Sequence, residues 1–344
     1  MVHDGDFVAL EGFTHLIPFA AGHEIIRQKR RNLTVTRMTP DVIYDQMIGA
    51  GCVSKLVFSW GGNPGVGSLH RLRDAVENGW PVPLALEENE HAGMAAAYAA
   101  GASHLPFGVL RGYLGTDLPK HNSRVKFIEC PFTGETLAAV PAIRPDVTVI
   151  HAQKADRQGN VLMWGVTGVQ KEAVMAAARS IVTVEEIVDR LDAPPNAVVL
   201  PSWIIGAVCE VKGGAFPSYA QGYYSRNNAF YKQWDPIARE RETFQAWMDR
   251  HIFGTANFDD YIAPIVGVVG QQQDLDLVLE LGQALFSGFD LFAQQLAVIA
   301  LGPGQHFARH GQVGLRALVG PVGVDNRFEL LVALGDLAQP ALVR

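Results

Sequence analysis

Short apolar runs alternate with stretches of helical spacing along most of this chain, and residues 56–94 show the pattern most clearly. An apolar strand at 56–60 leads through a glycine-rich loop to an amphipathic helix at 69–77, and a second apolar strand follows at 82–86. This order predicts a βαβ unit with parallel strands. Ligands bind beyond the carboxyl ends of such strands, so the residues that follow them are the first candidates for a site.

The same alternation extends through the first 263 residues. Strands are predicted at 7–10, 33–36, 127–132, 137–140, 146–152, 180–185, 198–200 and 206–211. Helices are predicted at 20–29, 41–49, 94–102, 170–178 and 228–250, the last interrupted near Pro236. The glycine-rich segment 109–118 is predicted to be a loop. The alternation predicts an α/β fold with a mostly parallel central sheet flanked by helices.

The composition changes near the end of the chain. From residue 264 onward Leu, Val, Gly and Gln predominate, and the basic residues are Arg309, Arg316, Arg327 and Arg344. Segments with helical spacing in this region lack clear caps and turns. We therefore divide the 344 residues into an α/β domain at 1–263 and a C-terminal appendage at 264–344. We expect the appendage to be helical or poorly ordered and assign no chemistry to it.

Charge and cysteine content argue against several classes of protein. The formal net charge of −7 does not favour binding to nucleic acid or to an anionic membrane. No signal peptide and no run of about 18 apolar residues is visible, so we expect a cytoplasmic protein. Cys52, Cys130 and Cys209 lack the spacing of a disulfide framework or a zinc site. We expect neither a bound metal nor a permanently bound cofactor.

The loop after the first strand of the βαβ unit is a candidate binding site. Its candidate contacts are Gly61, Gly62, Asn63, Gly65, Gly67 and Ser68. They match neither a P-loop nor a dinucleotide fingerprint, but closely spaced glycines let the backbone approach a ligand. Ser68 is predicted to cap the following helix, whose free N–H groups would face an anion. A tight turn without a ligand explains the same residues.

An acidic cluster follows the second strand of the unit. It comprises Glu87, Glu88, Glu90 and His91. Like charges held close together favour proton uptake, which suits a general base, and His91 would orient a carboxylate or carry a proton. Glu88, Glu90 and His91 are therefore the catalytic candidates. Acids that simply stabilise the dipole of a helix start are the alternative explanation.

Several segments in combination form a specific pattern. They include FSWGGNPGVGSLHR (58–71), EENEHAGM (87–94), LPFGVLRGYLGTDLPK (105–120), CPFTGE (130–135) and GGAFPSYAQGYY (213–224). Over nearly all of residues 1–263 the chain resembles the α (A) subunit of family I coenzyme A transferases, of the glutaconate and 3-oxoacid type. The resemblance implies a NagB-like α/β fold paired with a β subunit of similar fold.

The resemblance also implies a reaction, the transfer of CoA from an acyl-CoA thioester to a carboxylate acceptor. A glutamate attacks the thioester to give a mixed anhydride and then a glutamyl-CoA thioester, which the acceptor resolves. In split-subunit relatives this glutamate lies on the β subunit. Coenzyme A is then a substrate, and the present chain supplies loops and polar groups, including backbone amides for the oxyanion.

Further site residues follow from this resemblance. Arg111 and Tyr113, which lie beside glycines, would meet an acyl carboxylate or a CoA phosphate; a buried structural ion pair is the alternative for Arg111. His15 follows the first strand and is a weaker candidate for lining the site. Glu185 and Glu186 form a second candidate acidic pair, although such a pair is more often a helix start.

Two alternatives remain open. Ring-opening CoA-ester hydrolases of steroid catabolism also resemble this chain, and such an enzyme would use Glu88 or Glu90 with water in place of an acceptor carboxylate. A non-catalytic subunit that only positions its β partner is the second alternative. A sugar-phosphate isomerase or a transcriptional sensor is disfavoured, because no basic face or helix-turn-helix pattern is present.

Overall fold

The apolar runs of the sequence form strands, and the stretches of helical spacing form helices. The computed structural model describes residues 1–65 and 67–263. The strands are β1 (Phe7–Glu11), β2 (Leu33–Thr36), β3 (Val53–Phe58), β4 (Ala85–Glu88), β5 (Phe107–Leu110), β6 (Lys126–Glu129), β7 (Thr136–Pro141), β8 (Val147–Asp156), β9 (Val161–Met163), β10 (Arg179–Val188), β11 (Val198–Leu200) and β12 (Ala207–Glu210).

The helices complete the α/β alternation. They are α1 (Phe19–Arg27), α2 (Val42–Gly49), α3 (His70–Glu77), α4 (His91–Ala102), α5 (Leu118–His121), α6 (Gln170–Ala176), α7 (Asn228–Arg239) and α8 (Arg241–Met248). A 3₁₀ turn covers Ser202–Ile204, a π-helical turn covers Asp249–Phe253, and residues 258–263 are helical. None of the helices in the described ranges has the length and apolar character needed to span a membrane.

Parallel strands form the central sheet in the order β4-β3-β2-β1-β8-β10-β12. β9 pairs antiparallel with the far end of β8, and β11 pairs antiparallel with β9. The predicted α/β fold with a mostly parallel central sheet is therefore confirmed. The C-terminal appendage predicted at 264–344 lies outside the described residues.

A second layer covers one face of this sheet. The strand register places Phe7, Thr34, Lys55 and Glu87 on that face. Ala9 and Val57, also on that face, are buried in one cluster with Met94 and Tyr98 of α4. A separate antiparallel sheet, β5-β7-β6, packs against α4. The sequence predicted β6 and β7, but the loop predicted at 109–118 was wrong at both ends, because Val109 and Leu110 belong to β5 and Leu118 begins α5.

Several predicted boundaries needed correction. The strand predicted at 82–86 is β4, Ala85–Glu88, so two of the three clustered glutamates lie inside the strand. The helix predicted at 228–250 is broken at Glu240 and not near Pro236, which lies inside α7. Glu185 and Glu186 do not start a helix; they lie within β10. The aromatic side chains of α7 and α8 pack against one another, with Trp234 and Trp247 ring centroids 5.0 Å apart.

Candidate active site

The carboxyl ends of the parallel strands define one edge of the central sheet. The order of strands reverses between β1 and β8, because the chain adds β2, β3 and β4 on one side of β1 and the later strands on the other. Ligands of open α/β sheets bind at such a switch point. The loops that follow β1, β3 and β4 all leave from this edge, which makes it the candidate site.

Glu90 and Tyr113 are joined at this edge by two hydrogen bonds. The Tyr113 N–H donates to Glu90 Oε1 at 2.9 Å, and the Glu90 N–H donates to Tyr113 Oη at 3.1 Å. Tyr113 is buried, and burial raises its pKa. Side chains at Gly93 or Gly112 would overlap Tyr113 Oη and Glu90 Oε2, respectively. The two glycines therefore allow the close approach that the pair requires.

Asparagine side chains extend this contact toward β4. The Tyr113 hydroxyl donates to Asn89 Oδ1 at 3.2 Å, and Asn122 Nδ2 donates to the same oxygen at 3.0 Å. Asn122 Nδ2 also donates to the Glu88 carbonyl at 2.9 Å. The network fixes the end of β4 and the start of α4 against the loop after β5.

The acidic residues of the predicted cluster have separate surroundings. Glu87 and Glu88 point to opposite faces because they are successive residues of β4. Glu87 Oε2 accepts from Lys55 Nζ at 2.6 Å, and Glu87 Oε1 lies 3.2 Å from Arg124 Nε. Glu88 is exposed, and Glu90 precedes the first residue of α4.

His91 is the first residue of α4 and is exposed. Its ring meets the edge of Phe13, in the loop after β1, with centroids 6.3 Å apart. This contact connects the ends of β1 and β4. The structure therefore places His91 at the same edge as Glu88 and Glu90, although Glu87 and Glu90 have different partners.

The glycine loop folds back on itself. Asn63 and Gly67 exchange two backbone hydrogen bonds of 2.9 and 2.7 Å. The Gly65 N–H donates to Asn63 Oδ1 at 3.0 Å, and Asn63 Nδ2 donates to the Tyr231 carbonyl at 2.7 Å. These bonds satisfy several amides within the turn. Gly61 and Ser68 are exposed at its two ends, whereas Gly62 and Asn63 are buried.

The prediction that Ser68 caps α3 was wrong. The residue at the N-cap position is Leu69, and the free amides of the helix point to a buried carboxylate of α2. Asp45 Oδ1 accepts from the N–H groups of Arg71 at 2.8 Å and Leu72 at 2.9 Å. The protein itself thus supplies the anion expected at this helix start. Asp45 lies more than twenty residues earlier, so the residues around Ser68 contain no signal of this contact.

Arg111 and Tyr113 do not share one environment. Arg111 is exposed and pairs with Glu135, with its Nη2 atom 2.8 Å from Glu135 Oε1. Arg111 therefore forms an ion pair at the surface and not the buried ion pair that was the alternative explanation. Tyr113 is buried and belongs to the Glu90 network described above.

Sequence reasoning missed Glu11, the last residue of β1. Its carboxylate is only 2% exposed and accepts from the Tyr98 hydroxyl at 2.7 Å and from the Met38 N–H at 3.3 Å. Burial raises the pKa of Glu11 to about 7, although the nearby Arg37 guanidinium opposes this shift. An acidic residue directly after an apolar strand was the available signal.

Buried polar groups also hold the loops beyond β1 and β8. His15 accepts the Gln221 N–H at Nε2, 3.0 Å away, so its Nδ1 is the atom that donates to the Val166 carbonyl. Burial lowers the pKa of His15. Farther along the sheet, His151 Nε2 lies 2.7 Å from Glu185 Oε1. His15 and Glu185 are thus held inside the fold.

Potential metal ligands are scattered over the fold. In the described part of the chain, no group of three or more His, Cys, Asp or Glu side chains is arranged to hold a metal ion.

Comparison with known proteins decides the family. The sequence model of a family described as coenzyme A transferase matches residues 1–210. The chain belongs to the coenzyme A transferase family. It is 68% identical over 264 residues to the A subunit of 3-oxoadipate CoA-transferase from Pseudomonas knackmussii, a match that covers 77% of this chain and 94% of the relative.

More distant members of the family agree with this assignment. The A subunit of glutaconate CoA-transferase from Acidaminococcus fermentans is 32% identical over 278 residues, which covers 76% of this chain and 87% of the relative. The crystal structure of that transferase superposes with a TM-score of 0.72 at 31% identity, covering 77% of this chain and 89% of the other. The cholesterol ring-cleaving hydrolase IpdA subunit of Rhodococcus jostii is 25% identical over 53% of this chain and 64% of the relative.

The family resemblance found in the sequence is thereby confirmed. The chain is the α-type subunit of a heteromeric coenzyme A transferase, and a β-type subunit is its implied partner.

Proposed function

We propose that this chain takes part in the transfer of CoA from an acyl-CoA donor to a dicarboxylate acceptor of the 3-oxoadipate type. The observation that carries the proposal is the 68% identity to the A subunit of 3-oxoadipate CoA-transferase over 94% of that relative. The acidic acceptor and the CoA thioester are substrates, and no permanently bound cofactor takes part.

In the proposed reaction a glutamate of the β subunit is the nucleophile. Its carboxylate attacks the donor thioester carbonyl, CoA leaves as a thiolate, and a mixed anhydride forms. The thiolate then attacks the glutamyl carbonyl, which releases the donor acid and forms glutamyl-CoA. The acceptor carboxylate attacks this thioester and expels the thiolate again. Attack of the thiolate on the acyl carbonyl of the new anhydride gives the new acyl-CoA and regenerates the glutamate.

The surroundings of four glutamates near this edge disfavour them as the nucleophile, which supports a nucleophile on the partner. A nucleophilic carboxylate needs an accessible oxygen, but Glu11 and Glu185 are buried and hydrogen-bonded. Glu87 is paired with two cations, and Glu90 accepts from Tyr113. Glu88 alone among these five is exposed.

We assign the groups of this edge to binding and positioning roles. Glu88 and His91 contact the reacting groups from the α side, and Glu90 with Tyr113 holds them in place. Arg111 meets a CoA phosphate. The exposed residues of the glycine loop, Gly61, Gly65, Gly67 and Ser68, provide the remaining contacts with CoA, whereas Gly62 and Asn63 are buried and shape the turn. The exposure of Glu88, His91 and Arg111 supports these roles.

The test uses the complex purified through a tag on this chain. Acetyl-CoA, succinyl-CoA and glutaryl-CoA are offered as donors, each with and without 3-oxoadipate. We expect 3-oxoadipyl-CoA to form with at least one donor, and little free CoA to appear without the acceptor. Release of free CoA at the same rate in both conditions would contradict the proposal and favour the hydrolase alternative, in which Glu88 or Glu90 activates water.

The non-catalytic alternative is tested in the same assay. The isolated β subunit is compared with the complex at equal concentration. Full transferase activity of the β subunit without this chain would show that the α-side groups make no contribution to the chemistry.

A further inference from the structure

A cavity of about 300 Å³ lies between the central sheet and α4. Lys55 of β3 and Glu87 of β4 line it from the central sheet, and Arg124, just before β6, lines it beside Glu87. Apolar side chains such as Val57, Met94 and Ile143 complete the lining. The volume is at the small end of the range for ligand sites.

The charges of this cavity are not balanced. Among the described lining residues, Lys55 and Arg124 are cationic and Glu87 is the single carboxylate. Glu87 contacts both cations, through Oε2 to Lys55 Nζ and Oε1 to Arg124 Nε. One further negative charge in the cavity would balance the two cations.

Hydrogen-bond donors remain for that negative charge. Arg124 contacts Glu87 through Nε, which leaves its two Nη groups to donate elsewhere. Lys55 uses one of its three ammonium hydrogens for Glu87. The guanidinium fork matches a carboxylate in two parallel hydrogen bonds. The apolar lining suits a short methylene chain.

The cavity adjoins the candidate active site through Asn89. This residue lines the cavity, and its Oδ1 accepts from the hydroxyl of Tyr113, the partner of Glu90. Asn89 therefore lies between the cavity and the candidate active site.

We propose that the cavity between Lys55 and Arg124 binds the non-reacting carboxylate of a dicarboxylic substrate. This assignment rests on the proposed transferase function and adds the basis of its selectivity. The two cations neutralise the remote carboxylate and Glu87 together, and the reacting carboxylate lies toward Asn89 at the carboxyl end of β4. A monocarboxylate of the same length leaves the cations without this partner.

The experiment compares 3-oxoadipate with 3-oxohexanoate, which lacks the second carboxylate, in the purified complex with one donor held constant. Arg124→Met and Lys55→Met remove the cations one at a time, and Lys126→Met removes an exposed cation outside the cavity as the matched control. A lost charge-assisted hydrogen bond is worth about 1.5–3 kcal/mol, or roughly 10- to 100-fold in binding. We expect each cavity variant to raise KM for 3-oxoadipate by at least about tenfold and to leave KM for 3-oxohexanoate and both kcat values within about twofold.

The outcomes separate the two proposals. If the wild-type complex transfers CoA to neither acid, the proposed function fails. If it transfers CoA but the cavity variants change both acids equally, or neither acid, only the carboxylate assignment fails. Adenosine 3′,5′-bisphosphate is tested as a competitor in the same assay. If Arg124→Met abolishes this competition and leaves KM for 3-oxoadipate unchanged, the cavity binds a CoA phosphate and the proposal is overturned. Size-exclusion chromatography identifies a variant that does not assemble with the β subunit. If one of the two cavity variants fails to assemble, the other one is used for the test.

Discussion

Glu90 and Tyr113 hold each other through reciprocal hydrogen bonds, in which the backbone N–H of each residue donates to the side chain of the other. The pair connects the start of α4 to the loop after β5, two segments more than twenty residues apart. Because Asn89 and Asn122 extend the same network, the end of β4 has a single arrangement beside the candidate active site.

The first prediction concerns this pair. Glu90→Ala leaves the Tyr113 N–H without its acceptor, so we expect the free energy of unfolding to fall by about 1–3 kcal/mol. Glu90→Gln keeps an acceptor oxygen and is expected to cost less than about 1 kcal/mol. Denaturant unfolding of the complex measures both. Equal losses in the two variants would mean that the charge of Glu90, and not its hydrogen bond to Tyr113, stabilises the edge.

The second prediction concerns the start of α3. Asp45→Ala removes the acceptor of two helix amides and of Trp234 Nε1, which lies 3.0 Å from Asp45 Oδ2. Buried donors left without partners cost roughly 2–4 kcal/mol in total. Asp117→Ala, at an exposed surface pair with Lys120, is the control and is expected to cost less than about 0.5 kcal/mol. Similar losses in the two variants would contradict the capping role.

Much of the fold was predictable because its signals are local. Apolar runs and helical spacing identify β1, β2, β3 and β8 within a few residues, and their alternation with helices predicts parallel pairing. The end of β4 was misplaced because Glu87 and Glu88 are polar, yet they continue the strand. Their pairing with β3 is a tertiary effect, which overrides the composition of the segment.

The candidate site was less predictable because its contacts join distant segments. Ser68 has the residue type and position of a cap, but Asp45 takes that role from a neighbouring helix. Three glutamates close in sequence suggested one cluster, whereas the pleat of β4 separates Glu87 from Glu88 and Tyr113 engages Glu90. The spacing of these residues along the sequence contained no information about the contact of Asp45 with α3 or of Tyr113 with Glu90.

The third prediction uses the buried carboxyl of Glu11. Burial raises its pKa from 4.5 to about 7 in the folded protein, so the folded state holds a proton that the unfolded state releases between these values. Stability from this group is therefore present below about pH 4.5 and is lost as the pH rises through 7. A shift of this size corresponds to at most roughly 3 kcal/mol.

Glu11→Gln provides the comparison for this pH effect, since the amide oxygen accepts from Tyr98 and Met38 but does not titrate. Thermal midpoints of the complex are measured from pH 5 to pH 8. We expect the wild type to lose stability relative to Glu11→Gln over this range. A constant difference between the two proteins would show that Glu11 does not titrate in this range.

The fourth prediction concerns Glu88. With a nucleophile on the β subunit, Glu88→Gln changes a contact and not the attacking group, so we expect CoA transfer to slow by about tenfold or less. Loss of a general base typically costs 10²–10⁴-fold. Steady-state rates of acyl transfer with 3-oxoadipate measure the effect. A loss of a thousandfold or more would place Glu88 among the reacting groups and contradict its assignment as a contact residue.

The location of the covalent intermediate tests the central claim most directly. The complex is incubated with an acyl-CoA donor without acceptor, and the intact mass of each polypeptide is measured. We predict that the β subunit gains the mass of one CoA less one water, while this chain remains unchanged, and that 3-oxoadipate removes the adduct. An adduct on this chain, or release of free CoA without any adduct, would contradict the account.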